Sequence, residues 1–447
     1  MNKYLHFISS VLAIGFCVHA AFKCDPASAQ NKAPIIGQIE GAEFRAYPIA
    51  IPDVRAARGI DRSALVLAAG ATAILRRDMD LSGVFQVLNY RSFIDKDGIR
   101  LSSVKFNDWL NVGAEGLVKA IIKSDGADGF KIDVHGYEVA TRKQGFKNQY
   151  PISRKTIRNV AHKIADDLYR YYTKEPGVFQ TQIAVVRKVG GAKHIFLIDM
   201  DGKRESQLTR TGALNLLPSW SPSGDAVLMT SYRFDNPDFF EIPVGGGRMK
   251  RISSQPGLNT GGRVSPDNNR IAITLTRDGN SEVYTLTRQG KILSRLTNSW
   301  GIDTSPSWSP SGREIAFVSS RAGNPHIYLM SADGSNQRRL TFQGTYNQTP
   351  AFSPRGDLIA FTARDELNKF DIFIYDLGKK EIRRLTQDQG NNEDPSFSPN
   401  GRLIVFVSNR NEGRQLWVSS LDGEHQRQIT FSGVHSSPAW GPFVSSK

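Results

Sequence analysis

The heptapeptide PSWSPSG occurs twice in this chain, at residues 218–224 and again at residues 306–312. Four related segments share its pattern, and the later proline of all six recurs at a nearly constant spacing. These prolines are Pro222, Pro266, Pro310, Pro354, Pro399 and Pro442, separated by 44, 44, 44, 45 and 43 residues. An internal repeat of this length restricts the chain to repeat architectures, because each copy is expected to build the same unit.

Two further markers recur with the same period. A hydroxyl residue that follows Leu or Ile stands at Thr209, Ser253, Thr297, Thr341, Thr386 and Thr430, and a glycine stands at Gly202, Gly246, Gly290, Gly334, Gly378 and Gly423. Since glycine readily adopts a positive φ, the second series predicts one tight hairpin that is made six times.

Each repeat contains four short runs of strand-forming residues separated by turn residues. The copy at residues 306–341 shows them as PSWSP, REIAFVSS, HIYLMSA and QRRLT. Four antiparallel strands in about 40–45 residues are typical of one blade of a β-propeller, and a solenoid is the alternative. The ends of the array favour a closed ring, because residues 183–209 lack the leading strand that residues 438–443 supply. The leading strand is then the innermost one, and its aromatic residues are expected to pack between blades.

The first 29 residues predict a secretory signal. They combine Lys3, a long apolar stretch and an Ala27-Ser28-Ala29 cleavage site, with an uncleaved anchor as the alternative. Both cysteines, Cys17 and Cys24, fall in this segment, so the mature chain is predicted to contain no disulfide and no thiolate metal site.

The rest of the chain divides by its pattern. Residues 30–43 are predicted to form a mobile arm, 44–174 a small α/β domain, 175–182 a linker and 183–447 the propeller. Helical spacing at 62–79 and 153–173, the latter with Ser153 as candidate N-cap, alternates with strand patterns at 84–88, 117–123 and 131–140. The predicted fold class is mainly β, with a C-terminal six-bladed β-propeller closed by the C-terminal strand and preceded by the α/β domain.

No catalytic motif stands out in the sequence. The nucleophile elbow, zinc-protease and phosphate-loop patterns are missing, and the six histidines beyond the signal show no ligand spacing. Aspartates at 125–129 and 199–202 are explained by hairpin turns better than by calcium loops. The sequence therefore predicts no enzyme, no metal and no cofactor. The alternative is a propeller hydrolase or lyase acting on peptides or acidic polysaccharide, which requires histidines and acidic residues to converge in the channel.

The net charge of +14 favours an anionic partner. An exported chain rarely meets nucleic acid, so an acidic protein or the anionic envelope surface is the better expectation.

A set of polar residues precedes the leading strand of every repeat and is predicted to circle one mouth of the channel. It comprises Asn215, Asn259, Asp303 with its neighbour Thr304, Asn347, Asn392 and His435. These residues are either good turn formers or a polar ring that receives an inserted loop. They are expected to stand outside the strands, so that alanine replacements leave the fold intact. A second set, Arg233, Arg277, Arg321, Arg364 and Arg410, is predicted to face the same side, as solvated hairpin flanks or as attraction for an acidic partner.

With a signal, a small α/β domain and six PSWSPSG-type repeats in this order, the chain resembles the TolB family of the bacterial Tol-Pal system. The resemblance implies a periplasmic, non-catalytic scaffold. It would bind Pal, the peptidoglycan-associated lipoprotein, through the propeller and TolA through the arm, and support outer-membrane integrity and cell division. In the arm, Ile35, Ile36, Gly37, Gln38 and Ile39 match by position. The chain is expected to be a monomer that reaches the envelope only through partners.

Overall fold

The computed structural model describes residues 45–94, 98–126 and 129–443. The predicted signal and arm, including residues 35–39, lie outside the described residues. Within the described ranges, no helix is both long and apolar enough to cross a membrane.

The first part of the described chain is an α/β domain. Its strands are β1 (Tyr47–Ala50), β2 (Arg55–Ala56), β3 (Phe85–Val87), β4 (Gly116–Ser124), β5 (Phe130–Glu138) and β6 (Lys143–Ile152), and its helices are α1 (Arg62–Leu81), α2 (Phe106–Asn111) and α3 (Ile157–Thr173). Short 3-10 turns span Tyr90–Ser92 and Leu101–Ser103. The sheet order is β3-β1-β4-β5-β6, with β2 also beside β4. β1 runs parallel to β3 and β4, and β4, β5 and β6 are antiparallel.

The two long helices form where their apolar spacing predicts them. In α1, Leu67, Ala71 and Leu75 recur at a separation of four residues and are buried. The expected Ser153 cap of α3 is wrong, because the helix begins only at Ile157 and Thr156 precedes it without a side-chain cap. The Ser153 carbonyl instead accepts from the Ile157 N–H at 2.9 Å, and so closes a turn before the helix.

The second part is a ring of six antiparallel four-stranded sheets, here numbered blades 1 to 6. Blade 1 contains β7 (Gln182–Val189), β8 (Ala192–Asp199), β9 (Ser206–Gln207) and the last strand, β30 (His435–Trp440). Blade 2 contains β10 (Asn215–Trp220), β11 (Ala226–Phe234), β12 (Asn236–Pro243) and β13 (Lys250–Ser253); blade 3 contains β14 (Asn259–Val264), β15 (Arg270–Leu275), β16 (Glu282–Thr287) and β17 (Ile292–Arg295). Blade 4 contains β18 (Asp303–Trp308), β19 (Glu314–Ala322), β20 (Asn324–Ser331) and β21 (Arg338–Arg339). Blade 5 contains β22 (Asn347–Phe352), β23 (Leu358–Arg364), β24 (Phe370–Asp376) and β25 (Glu381–Arg384); blade 6 contains β26 (Asn392–Phe397), β27 (Leu403–Ser408), β28 (Gln415–Ser420) and β29 (Gln426–Gln428).

The ring closes as the sequence predicts. β30 pairs antiparallel with β7 and supplies the innermost strand of blade 1, with His435 opposite Arg187 and Trp440 opposite Ile183. The predicted six-bladed propeller, closed by the C-terminal strand, is confirmed.

Contacts between blades use the aromatic residues that end the innermost strands. The Trp220 indole N–H donates to the Ala439 carbonyl of the preceding blade at 2.9 Å, and that of Trp308 donates to the Arg263 carbonyl at 3.0 Å. Each indole therefore joins its own blade to the one before it, as expected.

The repeated hydroxyl residue also has a structural role. The Thr297 hydroxyl accepts from the Val283 N–H at 2.9 Å and donates to the Glu282 carboxylate at 2.5 Å. The corresponding threonines that accept a backbone N–H in the same way are Thr209, Thr341, Thr386 and Thr430. This bond ties the outermost strand of the blade to the third strand.

The repeated turn glycine serves two purposes. Gly290 has φ +88, and a Cβ built there would lie 1.7 Å from the Ile252 carbonyl oxygen of the preceding blade. The glycine therefore makes the hairpin and also lets two blades approach. Gly378 departs from the prediction, because in its turn the positive φ is carried by Lys380, at 59°.

Ion pairs join the α/β domain to one face of the propeller. Arg158 of α3 contacts Asp199 at 2.8 Å and Asp201 at 2.6 Å, both at the turn after β8. Arg427 contacts Asp80 at the end of α1 at 2.9 Å. These ion pairs add to apolar packing, because one buried cluster contains residues of both domains, among them Leu75 and Tyr169 of the α/β domain and Ile198 and Leu403 of the propeller.

A buried histidine lies at the centre of this joint. His162 Nδ1 is 2.7 Å from Asp78 Oδ2, and both side chains are almost fully buried. Burial raises the pKa of Asp78 to about 7. Burial alone lowers the pKa of His162, but the hydrogen bond and the charge of Asp78 outweigh it, so that its pKa lies above the ordinary value. Both groups therefore hold protons more tightly in the folded protein than in the unfolded chain.

The Gly290 contact predicts a large difference between two glycine substitutions in blade 3. Gly279 also has a positive φ of +93, but a Cβ there would meet nothing within 4 Å. We expect Gly279→Ala to lower the free energy of unfolding by roughly 1–2 kcal/mol through backbone strain alone. Gly290→Ala should cost roughly 1–3 kcal/mol more, because the blades must move apart. Urea denaturation measures both, and equal losses would show that the close approach is not tight.

The joint predicts a pH dependence of stability. The proton on His162 stabilises the folded state fully below pH 6.5 and less as the pH rises through its raised pKa, and the proton on Asp78 is lost as the pH passes about 7. The free energy of unfolding should therefore fall by about 1 kcal/mol or more between pH 6 and pH 8. The double variant Asp78→Asn, His162→Gln should lose this part of the slope. Urea denaturation at several pH values makes the comparison, and parallel curves for the two proteins would contradict the assignment.

Candidate protein-binding site

The two faces of the propeller differ in what they carry. In an antiparallel blade, the hairpin between the second and third strands lies on the same face as the connector to the next blade. The other two hairpins lie on the opposite face, where the α/β domain contacts Asp201 and Arg427. We call the face without the α/β domain the open face.

The predicted polar ring lies at the open face but is not outside the strands. Each member begins an innermost strand and is at most 2% exposed; the members are Asn215, Asn259, Asp303, Asn347, Asn392 and His435. The expectation that these side chains stand clear of the strands is therefore wrong. Each of these residues is part of a sheet, because it pairs with the second strand of its own blade, as Asn215 does with Ser231.

Three of the ring amides, those of Asn215, Asn259 and Asn347, bind the backbone of their own connectors. Asn259 Oδ1 accepts from the Ser253 hydroxyl at 2.7 Å and from the Gln255 N–H at 2.9 Å, and its Nδ2 donates to the Gln255 and Gly257 carbonyls at 2.7 and 3.1 Å. Asn215 Nδ2 likewise donates to the Ala213 carbonyl at 3.0 Å. The amides thus use their hydrogen-bonding capacity to shape the connectors.

Two further ring members, and Thr304 beside Asp303, have other neighbours. Thr304 is half-buried, and its hydroxyl is 3.3 Å from that of Thr274 in blade 3. Asn347 Nδ2 lies 3.0 Å from His326 Nδ1. Burial lowers the pKa of His435, so this residue is neutral at pH 7.

The five predicted arginines do lie on the open face. Arg321 and Arg410 bind ring members directly, Arg321 to Asp303 at 2.7 Å and Arg410 to Asn392 at 2.8 Å. Their guanidinium carbons also lie over aromatic rings, 4.3 Å from the Trp417 centroid for Arg410. Arg364 stacks between Tyr346 and Phe370 in the same way. Arg233 and Arg277 are exposed beside their hairpins.

An apolar crown on the open face was missed in the sequence. Large apolar side chains are exposed in its connectors and hairpins, with Trp300 77% and Phe342 72% accessible. The crown comprises Val189, Leu214, Tyr232, Phe234, Leu258, Trp300, Ile302, Phe342, Leu367, Phe431 and Val434. Outside the crown, the described propeller exposes only Leu293 and Phe443 among its large apolar residues. A concentration of this kind marks an interaction surface.

A sequence signal for the crown exists. The residues directly before four ring members are Leu214, Leu258, Ile302 and Val434, and all four are exposed. Strand alternation turns each of these side chains away from its buried neighbour. A search for apolar residues beside the repeated Asn would have found this part of the crown.

The channel along the ring axis contains a cavity of about 510 Å³, lined by all six innermost strands. The charged groups among its described lining residues are Arg263 and Asp394, and no histidine is among them. The alternative hydrolase or lyase requires histidines and several acidic residues here, and this lining does not supply them.

One group of potential metal ligands lies in the joint between the domains. Oxygen and nitrogen atoms of Asp78, His162 and Asp201 lie within 4.8 Å of one another. Arg158 contacts Asp201 at 2.6 Å, so a guanidinium already neutralises that carboxylate. The arrangement is that of an ion-pair network.

Both domains of the chain match families of known proteins. Residues 169–444 match the family described as TolB beta propeller domain, and residues 38–145 match the TolB amino-terminal domain. The chain is 41% identical over 222 residues to the Tol-Pal system protein TolB of Anaeromyxobacter sp. (strain K), covering 49% of this chain and 50% of that protein. It is 42% identical over 214 residues to that of Myxococcus xanthus (strain DK1622), covering 47% and 48%. These matches span about half the length of the relatives.

A solved structure extends the likeness to most of the chain. TolB from Acinetobacter baumannii superposes with a TM-score of 0.78 at 27% identity, over 89% of this chain and 97% of that one. The order of the two domains is therefore shared as well as the fold of each.

The buried amides predict that a ring substitution acts on stability. Asn259→Ala should lower the free energy of unfolding by about 2 kcal/mol, because it leaves buried partners unsatisfied. The matched control is Asn324→Ala, at an exposed residue of an open-face hairpin, which should change stability by less than about 0.5 kcal/mol. Urea denaturation compares the two variants. If both were as stable as the wild type, the ring residues would have no role in stabilising the connectors.

Proposed function

Since the chain belongs to the TolB family, we propose that it is a non-catalytic periplasmic scaffold of the Tol-Pal system that binds Pal through the open face of its propeller. The observation that supports this most is the apolar crown, which faces away from the α/β domain and is therefore available to a partner. In the described propeller, all but two of the exposed large apolar side chains belong to the crown.

Within this proposal the crown and the arginines have different roles. A few large side chains that become buried on binding, Trp and Tyr above all, supply most of the binding energy at protein interfaces, and charged residues at the rim act mainly on the rate of association. Arg233 and Arg277 are the exposed members of the arginine set. The buried ring residues act indirectly, because Asn259 and its counterparts fix the connectors that carry the crown.

We further propose that the signal is cleaved after Ala29 and that the arm binds TolA by adding a strand to a sheet edge, which helps to maintain outer-membrane integrity during cell division. The apolar pattern at Ile35, Ile36 and Ile39 suits strand addition. No nucleic acid is part of this function, and the protein acts as a monomer that reaches the envelope through its partners.

The crown predicts which substitutions weaken Pal. Trp300→Ser and Ile302→Ser lie in one connector, with 77% and 55% of their side chains exposed. Each should weaken Pal binding at least tenfold, which is about 1.4 kcal/mol or more, with no loss of stability. Calorimetric titration with purified Pal measures the affinity. Leu293→Ser is the control, because Leu293 is 48% exposed on the outermost strand of the same blade and away from the open face. If both crown variants bound Pal normally, the Pal interface would not include this connector.

The arginines predict a kinetic effect. Replacing Arg233 and Arg277 together by Gln should slow association with Pal and reduce its dependence on salt, while dissociation changes little. Surface plasmon resonance at two salt concentrations separates the two rates. A change confined to dissociation would show that these arginines are buried in the interface.

The arm predicts a separable loss. Deleting residues 30–40 should abolish TolA binding and leave the melting temperature nearly unchanged, because the segment precedes the folded domain. A large fall in melting temperature would place the segment in the core of the α/β domain.

A further inference from the structure

The second repeat departs from the others where its strand lines the channel. Its sequence is Gly262-Arg263-Val264, and the residues at the position of Arg263 in the other repeats are Ser219, Ser307, Ala351, Ser396 and Ala439. An arginine thus replaces small side chains at one place in the ring. It lies in the wall of the 510 Å³ cavity.

The Arg263 guanidinium is poorly satisfied by the protein. Its hydrogen bonds are two long contacts from Nη1, to the Pro218 carbonyl at 3.5 Å and to the Gly262 carbonyl at 3.4 Å. Among the described residues, no carboxylate lies within 4.0 Å of it, whereas Arg321 and Arg384 of the same propeller each contact an aspartate. Burial lowers the pKa of Arg263 to about 10, so the group still carries its charge at pH 7. A charged, half-buried guanidinium with unused donors therefore faces the channel cavity, where Asp394 interacts with it only at a distance.

The other charged residue of the cavity lies on the opposite wall. Asp394 belongs to the innermost strand of blade 6, three blades from blade 3 in a ring of six. Its Oδ2 accepts from the Ser437 N–H at 3.1 Å and from the Ser437 hydroxyl at 3.2 Å. The cavity thus has one cationic wall and one anionic wall.

We propose that the channel cavity binds a carboxylate group at Arg263. A guanidinium matches a planar carboxylate with two parallel hydrogen bonds, and a charge-assisted pair of this kind is stronger than a neutral hydrogen bond. The volume lies within the range of about 300–1,000 Å³ typical of small-molecule sites. Asp394 on the far wall selects against a second negative charge, so the ligand carries a single carboxylate. The group comes either from a small molecule in the solvent or from an acidic side chain of a partner that enters the channel.

Thermal unfolding in sodium acetate, against sodium chloride at equal ionic strength, tests the site. Acetate should raise the melting temperature of the wild-type protein above its value in chloride, and Arg263→Ser should abolish this difference. Serine occupies the matching position in three repeats, and the substitution removes a half-buried charge that contacts no carboxylate within 4.0 Å among the described residues, so the variant should fold and be at least as stable as the wild type. Arg313→Ser, at an exposed arginine of blade 4, is the matched control and should keep the acetate response.

Two outcomes would overturn the proposal. One is an acetate response of the same size in Arg263→Ser and in the wild type. The other is that sodium chloride raises the melting temperature of the wild type as much as sodium acetate does and that Arg263→Ser loses both effects, because the site would then bind anions in general.

Malonate should raise the melting temperature of the wild type less than acetate does, and Asp394→Asn should remove this preference for acetate. A preference unchanged by that variant would contradict the role of the opposite wall.

Binding of Pal distinguishes the two sources of the carboxylate. If an acidic side chain of Pal enters the channel, Arg263→Ser should weaken Pal and acetate should compete with it. If the ligand comes from the solvent, Pal binding should be the same with and without acetate. The acetate experiment needs no partner, so failure of the proposed Pal interaction would leave this result intact.

Discussion

The pairing of β30 with β7 is the interaction on which the rest of the propeller depends. It joins residues about 250 positions apart, with Trp440 opposite Ile183. Without it, blade 1 would have three strands and an exposed inner edge, and the channel would lack one of its six walls. The open face with its crown and the turn whose aspartates bind Arg158 both belong to this closed ring. Local strand pairing makes the blades, and this one distant pairing fixes their arrangement.

Much of the fold could be predicted from the sequence because each blade uses the same residue types for the same contacts. The Thr297 hydroxyl, the Gly290 turn and the Trp308 indole each make contacts within a blade or with the blade before it, so their residue types recur at a fixed period. Closure could also be predicted, since the two ends of the array complement each other. The expected Ser153 cap failed because a turn precedes α3, and nothing in the residue pattern separates a turn from a cap at that point.

The candidate site could be predicted only in part. The repeat gave the positions of Asn259 and its counterparts and the face on which they lie, but not their burial, which depends on pairing with the neighbouring strand. The crown escaped notice because exposed apolar residues look like core residues until the ring is assembled. The domain joint could not be predicted at all: Asp80 and Arg427, which pair across it, are 347 residues apart, and Asp80 does not belong to a repeat.

Closure by the last strand also dictates an order of events during synthesis. A ribosome delivers the chain from its first residue, so β7, β8 and β9 emerge more than 200 residues before the strand that completes their sheet. Blades 2 to 6 contain only consecutive strands and can form as they appear, whereas blade 1 keeps an open edge until β30 has also appeared. Until β30 pairs with β7, blade 1 therefore has three strands and an exposed inner edge. A product that ends before residue 435 would keep this inner edge of blade 1 unpaired, and an unpaired edge can pair with another chain.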